Sequence, residues 1–342
     1  MAPTAKEIKK ESKKGMPFPR ARLVRQPRDM RVRQLSNILA GLNYLRAPVV
    51  VCTLVSLLFT VPGLPWDRPI DHLEVFAGKM AVTLAEVEAG RRAVPIDLEI
   101  GGSSMDLTTD IGFANCLYHA ANLREGGACM AAPVCGSFVF MSRGSTQRSI
   151  ANPMGQGESC RIGNLLVSRL CVVLLICAAK CVWFCVEQPG TSIMEYHTLF
   201  QRFIKIVAVR KLKFMMGDYG APTLKPSILY SSHRAVDLLP NYQVRRRLVK
   251  KQMVKRYMDG KGKPRVCGGA DLKRSQAYPK QFGVALASCR TSTAKSRARM
   301  ARQFLQAARK SSNQADDRSH VDKAWRDGAQ LDSVMKFLTQ KP

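Results

Sequence analysis

The chain has 342 residues, 46% of them hydrophobic, with 18 prolines and 24 glycines. That is enough apolar material for one large or two ordinary domains, and it excludes a fibrous or wholly disordered chain. The formal net charge is +29, from 54 Lys and Arg against 25 Asp and Glu. Residues 1–46 carry +9, residues 47–232 carry +2 and residues 233–342 carry +18, so a near-neutral block sits between basic flanks. Such flanks favour polyanions, either nucleic acid or an anionic membrane surface, because each neutralised phosphate releases condensed counterions. The bland alternative is that they only keep the chain in solution. The eleven cysteines include no C-x-x-C pair. Their odd number, and the apolar setting of Cys177, Cys181 and Cys185, read as free thiols and not as a zinc site or a disulfide framework. No metal site is expected, and a reducing compartment, nucleus or cytoplasm, is favoured.

In chain order, residues 1–46 combine a Lys-rich start with Pro17, Pro19 and Pro27 and read as basic and disordered or loosely helical. Residues 47–66 carry no charge and follow a basic stretch, as a signal anchor would. Pro48, Pro62 and Pro65 leave only Val49–Val61 uninterrupted, short of the roughly 20 residues a spanning helix needs. A buried strand or helix, a targeting element and a short membrane anchor all stay open, the last keeping a membrane location in play. The second apolar run, Leu165–Val186, contains Arg169 and Lys180 and reads as core.

Regular alternation begins near residue 71. HLEVF reads as a strand, MAVTLAEVEAG as an amphipathic helix, RAVPID as a strand and FANCLYHAANLREGG as a helix. Then come the strand ACMAAPV, a Gly- and Ser-rich loop to Glu158, a long apolar helix from about Ile162 and the strand VWFCV. A helix around Ser192–Phe203 and strands near Ile204–Met215 and Pro226–Ser231 complete the block. Strands alternating with helices predict an open, mostly parallel Rossmann-like α/β sheet with helices on both faces over residues 67–232. Residues 233–290 read as a basic helix, a Gly-Pro linker and a returning segment. Residues 291–342 read as a helical or partly disordered tail, with helices at Thr291–Lys310 and His320–Thr339, so that the C-terminal extension is basic and helical in character.

Ligands of such sheets bind beyond the carboxyl ends of the strands. The first such turn is Glu74-Val75-Phe76-Ala77-Gly78, where a glycine lets backbone approach a cofactor. Strand two ends at Asp97, an acid able to accept hydrogen bonds from ribose hydroxyls. The second and third glycines of a G-x-G-x-x-G dinucleotide fingerprint are missing, which favours an adenosyl cofactor without a diphosphate. Cys135, in Pro133-Val134-Cys135-Gly136, is a candidate attacking thiolate or else a buried structural thiol. Glu187, in Glu187-Gln188-Pro189-Gly190, is an acid in the same cleft or a helix cap. Gly217-Asp218-Tyr219-Gly220-Ala221-Pro222 is a glycine-flanked turn before the last strand.

Taken in order, these pieces, with Met105-Asp106-Leu107 between them, resemble the S-adenosylmethionine-dependent methyltransferase superfamily, nearest its cytosine-C5 DNA methyltransferase-like branch. The resemblance spans about residues 71–290 and implies S-adenosylmethionine as cofactor. It implies that Phe76 and Gly78 line the cofactor, that Asp97 holds its ribose and that Asp106 faces its adenine amine. It also implies Cys135 as the nucleophile that adds to a pyrimidine and Glu187 as the carboxylate gripping the edge of the base. Ser275-Gln276-Ala277-Tyr278-Pro279 stands where the family has a segment returning to the cofactor. The motifs are degenerate. The family's P-C-Q is P-V-C-G here, E-N-V is E-Q-P, and Thr223, Leu224 and Lys225 stand where arginines are expected. About fifty residues separate Pro222 from Gln276, too few for a large target-recognition lobe.

Three functions follow as expectations. The first is a methyltransferase acting on nucleic acid. The second is an inactive methyltransferase-like domain that holds nucleic acid or other polyanions through its basic flanks. The third is a membrane-anchored protein, and it is compatible with either of the others. The run Arg245-Arg246-Arg247 with Lys250-Lys251 suits a nuclear address as well as a solvated helix face.

Overall fold

The computed structural model describes residues 28–61, 69–243, 254–268, 272 and 275–290. Expectations for residues 1–27, 62–68 and 244–253, and for the helices at 291–310 and 320–339, lie outside the described residues. The helices are α1 Arg28–Tyr44, α2 Val49–Thr60, α3 Ala81–Glu88, α4 Asp110–Asn122, α5 Glu158–Ala179, α6 Thr198–Ile206 and α7 Lys280–Cys289. The strands are β1 Ile70–Val75, β2 Ala93–Ile96, β3 Leu123–Ala131, β4 Trp183–Pro189, β5 Arg210–Met215, β6 Pro226–Ser231, β7 Val254–Met258 and β8 Pro264–Gly268.

Six strands form one mixed, mostly parallel sheet in the order β2-β1-β3-β4-β6-β5. β1 to β4 are parallel, and β6 runs antiparallel to both β4 and β5. Period-2 alternation divides the side chains between two cores. Leu73, Val75, Phe184 and Val186 face the larger core, built with α1, α2, α4, α5 and α6. Met130, Trp183, Cys185, Phe214 and Leu229 face a smaller one, closed by α3, α7 and the 3-10 stretch Arg234–Tyr242. The protein is thus α/β, with helices on both faces of the sheet.

α5 is long and apolar enough to cross a membrane, yet it is almost wholly buried as the central core helix. Its Arg169 is neutralised there by Asp110 at 2.6 Å and donates to the carbonyls of Leu107 and Thr109 at 2.9 and 2.6 Å. α2 has 12 residues, about 18 Å of helix. It buries Val51, Leu54, Val55, Leu58 and Phe59 in the larger core. Within the apolar segment, Val49–Thr60 thus forms a half-buried helix packed on the domain.

Several elements sharpen or depart from the sequence expectations. The strand expected near Ile204–Met215 starts only at Arg210, because residues up to Ile206 belong to α6. The basic N-terminal segment, expected to be disordered or loosely helical, is a regular helix from Arg28, because Ile38, Leu42 and Leu45 fall on one helix face and are buried in the core. Arg202 fixes its end by donating to the Tyr44 carbonyl at 2.7 Å. LREGG belongs to β3 and not to the preceding helix: Leu123 already pairs with Ile70, and a register shift absorbs residues up to the Ala128–His72 pair. β4 continues to Pro189 because β6 pairs along that stretch, which puts Glu187 inside the strand and not after it. The stretch expected to be basic helix and linker contains the hairpin β7–β8. Its turn is set by the Asp259 carboxylate, which accepts the amides of Lys261 and Lys263, both at 2.9 Å.

Candidate functional site

The chain passes from β1 to β2 on one side and then crosses back to β3 on the other side of β1. The carboxyl ends of β1 and β3 therefore flank a topological switch point, where open α/β sheets hold ligands. The turn leaving β1 is wound to the left at Phe76 (φ 60°), Gly78 (φ 50°) and Met80 (φ 58°). Its register is fixed by the Ile96 carbonyl, which accepts the amides of Phe76 and Ala77 at 2.8 and 3.2 Å. Asp97 ties the two strand ends together: Oδ2 accepts the Gly78 amide at 2.8 Å, and Oδ1 caps the next helical turn through the Glu99 amide at 2.8 Å. A carboxylate offers about four acceptor sites, so Asp97 keeps capacity for further donors. Space beside the Gly78 Cα is open, with no atom within 4 Å of a Cβ placed there. Asp106 turns into its own loop, where Oδ1 accepts the amide and hydroxyl of Thr108 at 2.8 and 2.7 Å ahead of α4.

Glu74 and Glu187 share the sheet face covered by α3 and α7. Glu74 reaches up from β1 to the start of α3, where its Oε2 accepts the amide and hydroxyl of Thr83 at 2.7 and 2.6 Å. α3 has no capping side chain of its own, so this strand carboxylate satisfies one of its orphan donors. Oε1 of Glu74 is buried with no hydrogen-bond partner. Burial pushes its carboxyl up to about 7, and the nearby Asp97 adds to that against the Thr83 hydrogen bonds.

Glu187 accepts the Tyr278 hydroxyl at 3.0 Å on Oε2, and the Lys225 ammonium stands 4.0 Å from Oε1. Lys225 also lies 5.5 Å from the centre of the Tyr278 ring, on a backbone with φ 36°. Left-handed backbone is costly for a side-chain-bearing residue and often accompanies a functional constraint. Cys135 is near enough for the charges of Glu187 and Lys225 to act on its thiol. Burial pushes that thiol up and Glu187 pushes it further, while Lys225 opposes them, so the proton is held and no thiolate is favoured. Burial and Glu187 also raise the Tyr278 phenol. On the opposite face of β4, Gln188 donates to the Pro133 carbonyl at 2.7 Å and accepts the Ser192 hydroxyl at 2.8 Å. That pins the Cys135 loop to the end of β4.

The structure thus brings Phe76, Gly78 and Asp97 together at one side of the switch point, and Cys135 and Glu187 together at the other. Glu74 is coupled to both groups through charge, acting on Tyr278 and acted on by Asp97. Glu74, Lys225 and Tyr278 were named in sequence motifs but were not among the candidate site residues. Glu74 had a signal, an acid inside an apolar strand. Tyr278 lies in the Ser275–Pro279 segment that the resemblance returns to the cofactor, but its pairing with a carboxylate 91 residues away left no local signal. Among the described residues no cluster of His, Cys, Asp and Glu could hold a metal ion. The chain matches no protein-family model and no curated protein.

Proposed function

We propose that the chain is an S-adenosylmethionine-dependent methyltransferase-like protein on a Rossmann-like sheet, acting on nucleic acid. The observation that carries this reading is the Asp97–Gly78 bond at the switch point, which sets an acid from β2 beside an open glycine from β1. These residues fit an adenosyl group. Asp97 would accept from ribose hydroxyls while it holds the turn, and Phe76 and Gly78 would line the cofactor. Asp106 fits less well, because its Oδ1 is occupied by Thr108. When bound, S-adenosylmethionine supplies a methyl made electrophilic by its sulfonium, so the protein's task is mainly alignment.

Glu187 is suited to orient an acceptor, since its Oε1 has no hydrogen-bond partner and Tyr278 fixes the carboxylate through Oε2. Accepting an N–H at Oε1 would require Lys225 to swing aside. Cys135 can attack a pyrimidine only after losing the proton that burial and Glu187 hold on it. That raised thiol favours one alternative, a domain of the same fold that binds and does not methylate, with basic flanks that engage polyanions.

Calorimetry of the full chain with S-adenosylmethionine tests the cofactor. Asp97→Ala should weaken binding by about 10- to 100-fold, the range for a hydrogen bond to a charged group. Cys135→Ser should leave binding unchanged and remove only pyrimidine methylation. No heat at millimolar cofactor would overturn the methyltransferase reading.

A further inference from the structure

The segment between β3 and α5 presents an exposed apolar rim beside the candidate site. Val134, Phe140 and Met141 are 57%, 63% and 48% exposed. The Arg143 guanidinium lies 5.0 Å from the centre of the Phe140 ring, and its Nε has no hydrogen-bond partner. From 132 to 157 the sequence holds two arginines and no acidic residue.

The rim is built on a fixed frame. Arg148 is fully buried, stacked 3.9 Å above the Phe138 ring. It donates to the Ser137 hydroxyl and the Cys160 carbonyl, both at 3.1 Å, and also to the Pro153 carbonyl. The Phe138 carbonyl accepts the Ile193 amide at 3.0 Å, joining the frame to the segment after β4. An aromatic face with an arginine against it, held rigidly in an acid-free segment, is the composition of a base-stacking platform.

We infer that Phe140 and Arg143 form a stacking site for an unpaired base of a single-stranded nucleic acid, beside the Cys135–Glu187 cleft. The inference rests on the methyl-transfer reading insofar as the strand supplies the acceptor. Arg148 is buried, so the charge offered at the rim is that of Arg143, unopposed by any acidic residue from 132 to 157, and it selects an anionic ligand. Stacking on an exposed ring needs a base free of its duplex partner, which selects the single strand.

The test is fluorescence anisotropy of the full chain, without cofactor, against a labelled 12-nucleotide single strand, as DNA and as RNA, and against the matching DNA duplex over a salt series. The single strands should bind more tightly than the duplex. Phe140→Ala should weaken single-strand binding about tenfold while leaving duplex binding and the salt slope unchanged, and Phe140→Trp should retain affinity. Arg143→Ala should weaken the single strand and reduce its salt slope by about one. Unchanged single-strand affinity in Phe140→Ala, an equal loss on the duplex, or transfer of the Phe140 dependence to anionic lipid vesicles would overturn the proposal. Calorimetry with S-adenosylmethionine on the same proteins separates the two readings. Strand binding that depends on Phe140 without cofactor binding strikes only methyl transfer, and the reverse strikes only the platform.

Discussion

Burying the Glu74 carboxyl beneath α3 raises it from an ordinary value of 4.5 to about 7. A carboxyl raised on folding favours the native state below its unfolded value, and that advantage is lost as pH climbs through the folded value. The window here is about pH 4.5 to 7, and the change across it is about 3 kcal/mol. Glu74→Gln keeps an oxygen for Thr83 and removes the titration. Chemical denaturation of both proteins should show the parent losing about 3 kcal/mol relative to the variant between pH 4.5 and 7, and a flat difference would count against a buried ionising Glu74. His72, on the same strand, works the other way. Burial holds its ring down to about 4, so its contribution is present above pH 6.5 and fades as pH falls toward 4. At this scale the sequence was legible where a residue follows a strand, as with Gly78 and Asp97, and illegible where the partner is remote, as with Tyr278 and Lys225. Strand ends leave a local signal, whereas a contact across 91 residues leaves none.

The helices α3 and α7 cross closely enough that their backbones meet. A Cβ on Gly283 would lie 2.2 Å from the Ala81 carbonyl oxygen, so any side chain there forces the pair apart. Gly283→Ala should cost about 2–3 kcal/mol, the usual scale of overpacking, which is a fall of roughly 5–10 °C in a thermal melt. Because α7 follows Tyr278 directly, the same substitution should also loosen the Tyr278–Glu187 bond, read as faster alkylation of Cys135 by a thiol reagent. Equal melting temperatures would mean that the helices separate without penalty. Helices and strands were recognised where a long periodic run identified them, as for α5 and β1. Boundaries failed where tertiary pairing decided them. The β6 partner lengthens β4 past Val186, and β1 draws LREGG into β3. The hairpin β7–β8 was hidden by its basic composition, which suits a solvated helix equally well.

For the whole molecule, the alternation of strands and helices announced an α/β sheet, but the placement of β6 between β4 and β5 could not be read from it. Periodicity gives the type of an element and says nothing of its neighbours. The charge distribution also separates tasks. Residues 1–27 and 291–342 together carry +12 of the total +29. If the proposed stacking site holds, deleting both should flatten the dependence of single-strand affinity on salt while leaving the effect of Phe140→Ala in place, because phosphate neutralisation and stacking are independent contributions. If the Phe140 effect vanished with the tails, the strand would be held by the tails alone.

The return of α7 to the sheet has a consequence for synthesis. β1 to β6 are complete by residue 231 and Ala235, Val236 and Leu239 follow soon after, but the face bearing Met130, Trp183 and Cys185 is fully covered only when Phe282, Ala285 and Leu286 reach it. While the ribosome is still translating the intervening stretch, the nascent chain holds a nearly finished sheet with one oily side only partly covered. Domains begin to fold from the N-terminus as they emerge, and such a half-dressed intermediate is the species most prone to self-association. The interval between residues 231 and 282 is therefore when a chaperone would be needed most, and a message broken there would yield a product that is sticky as well as inactive.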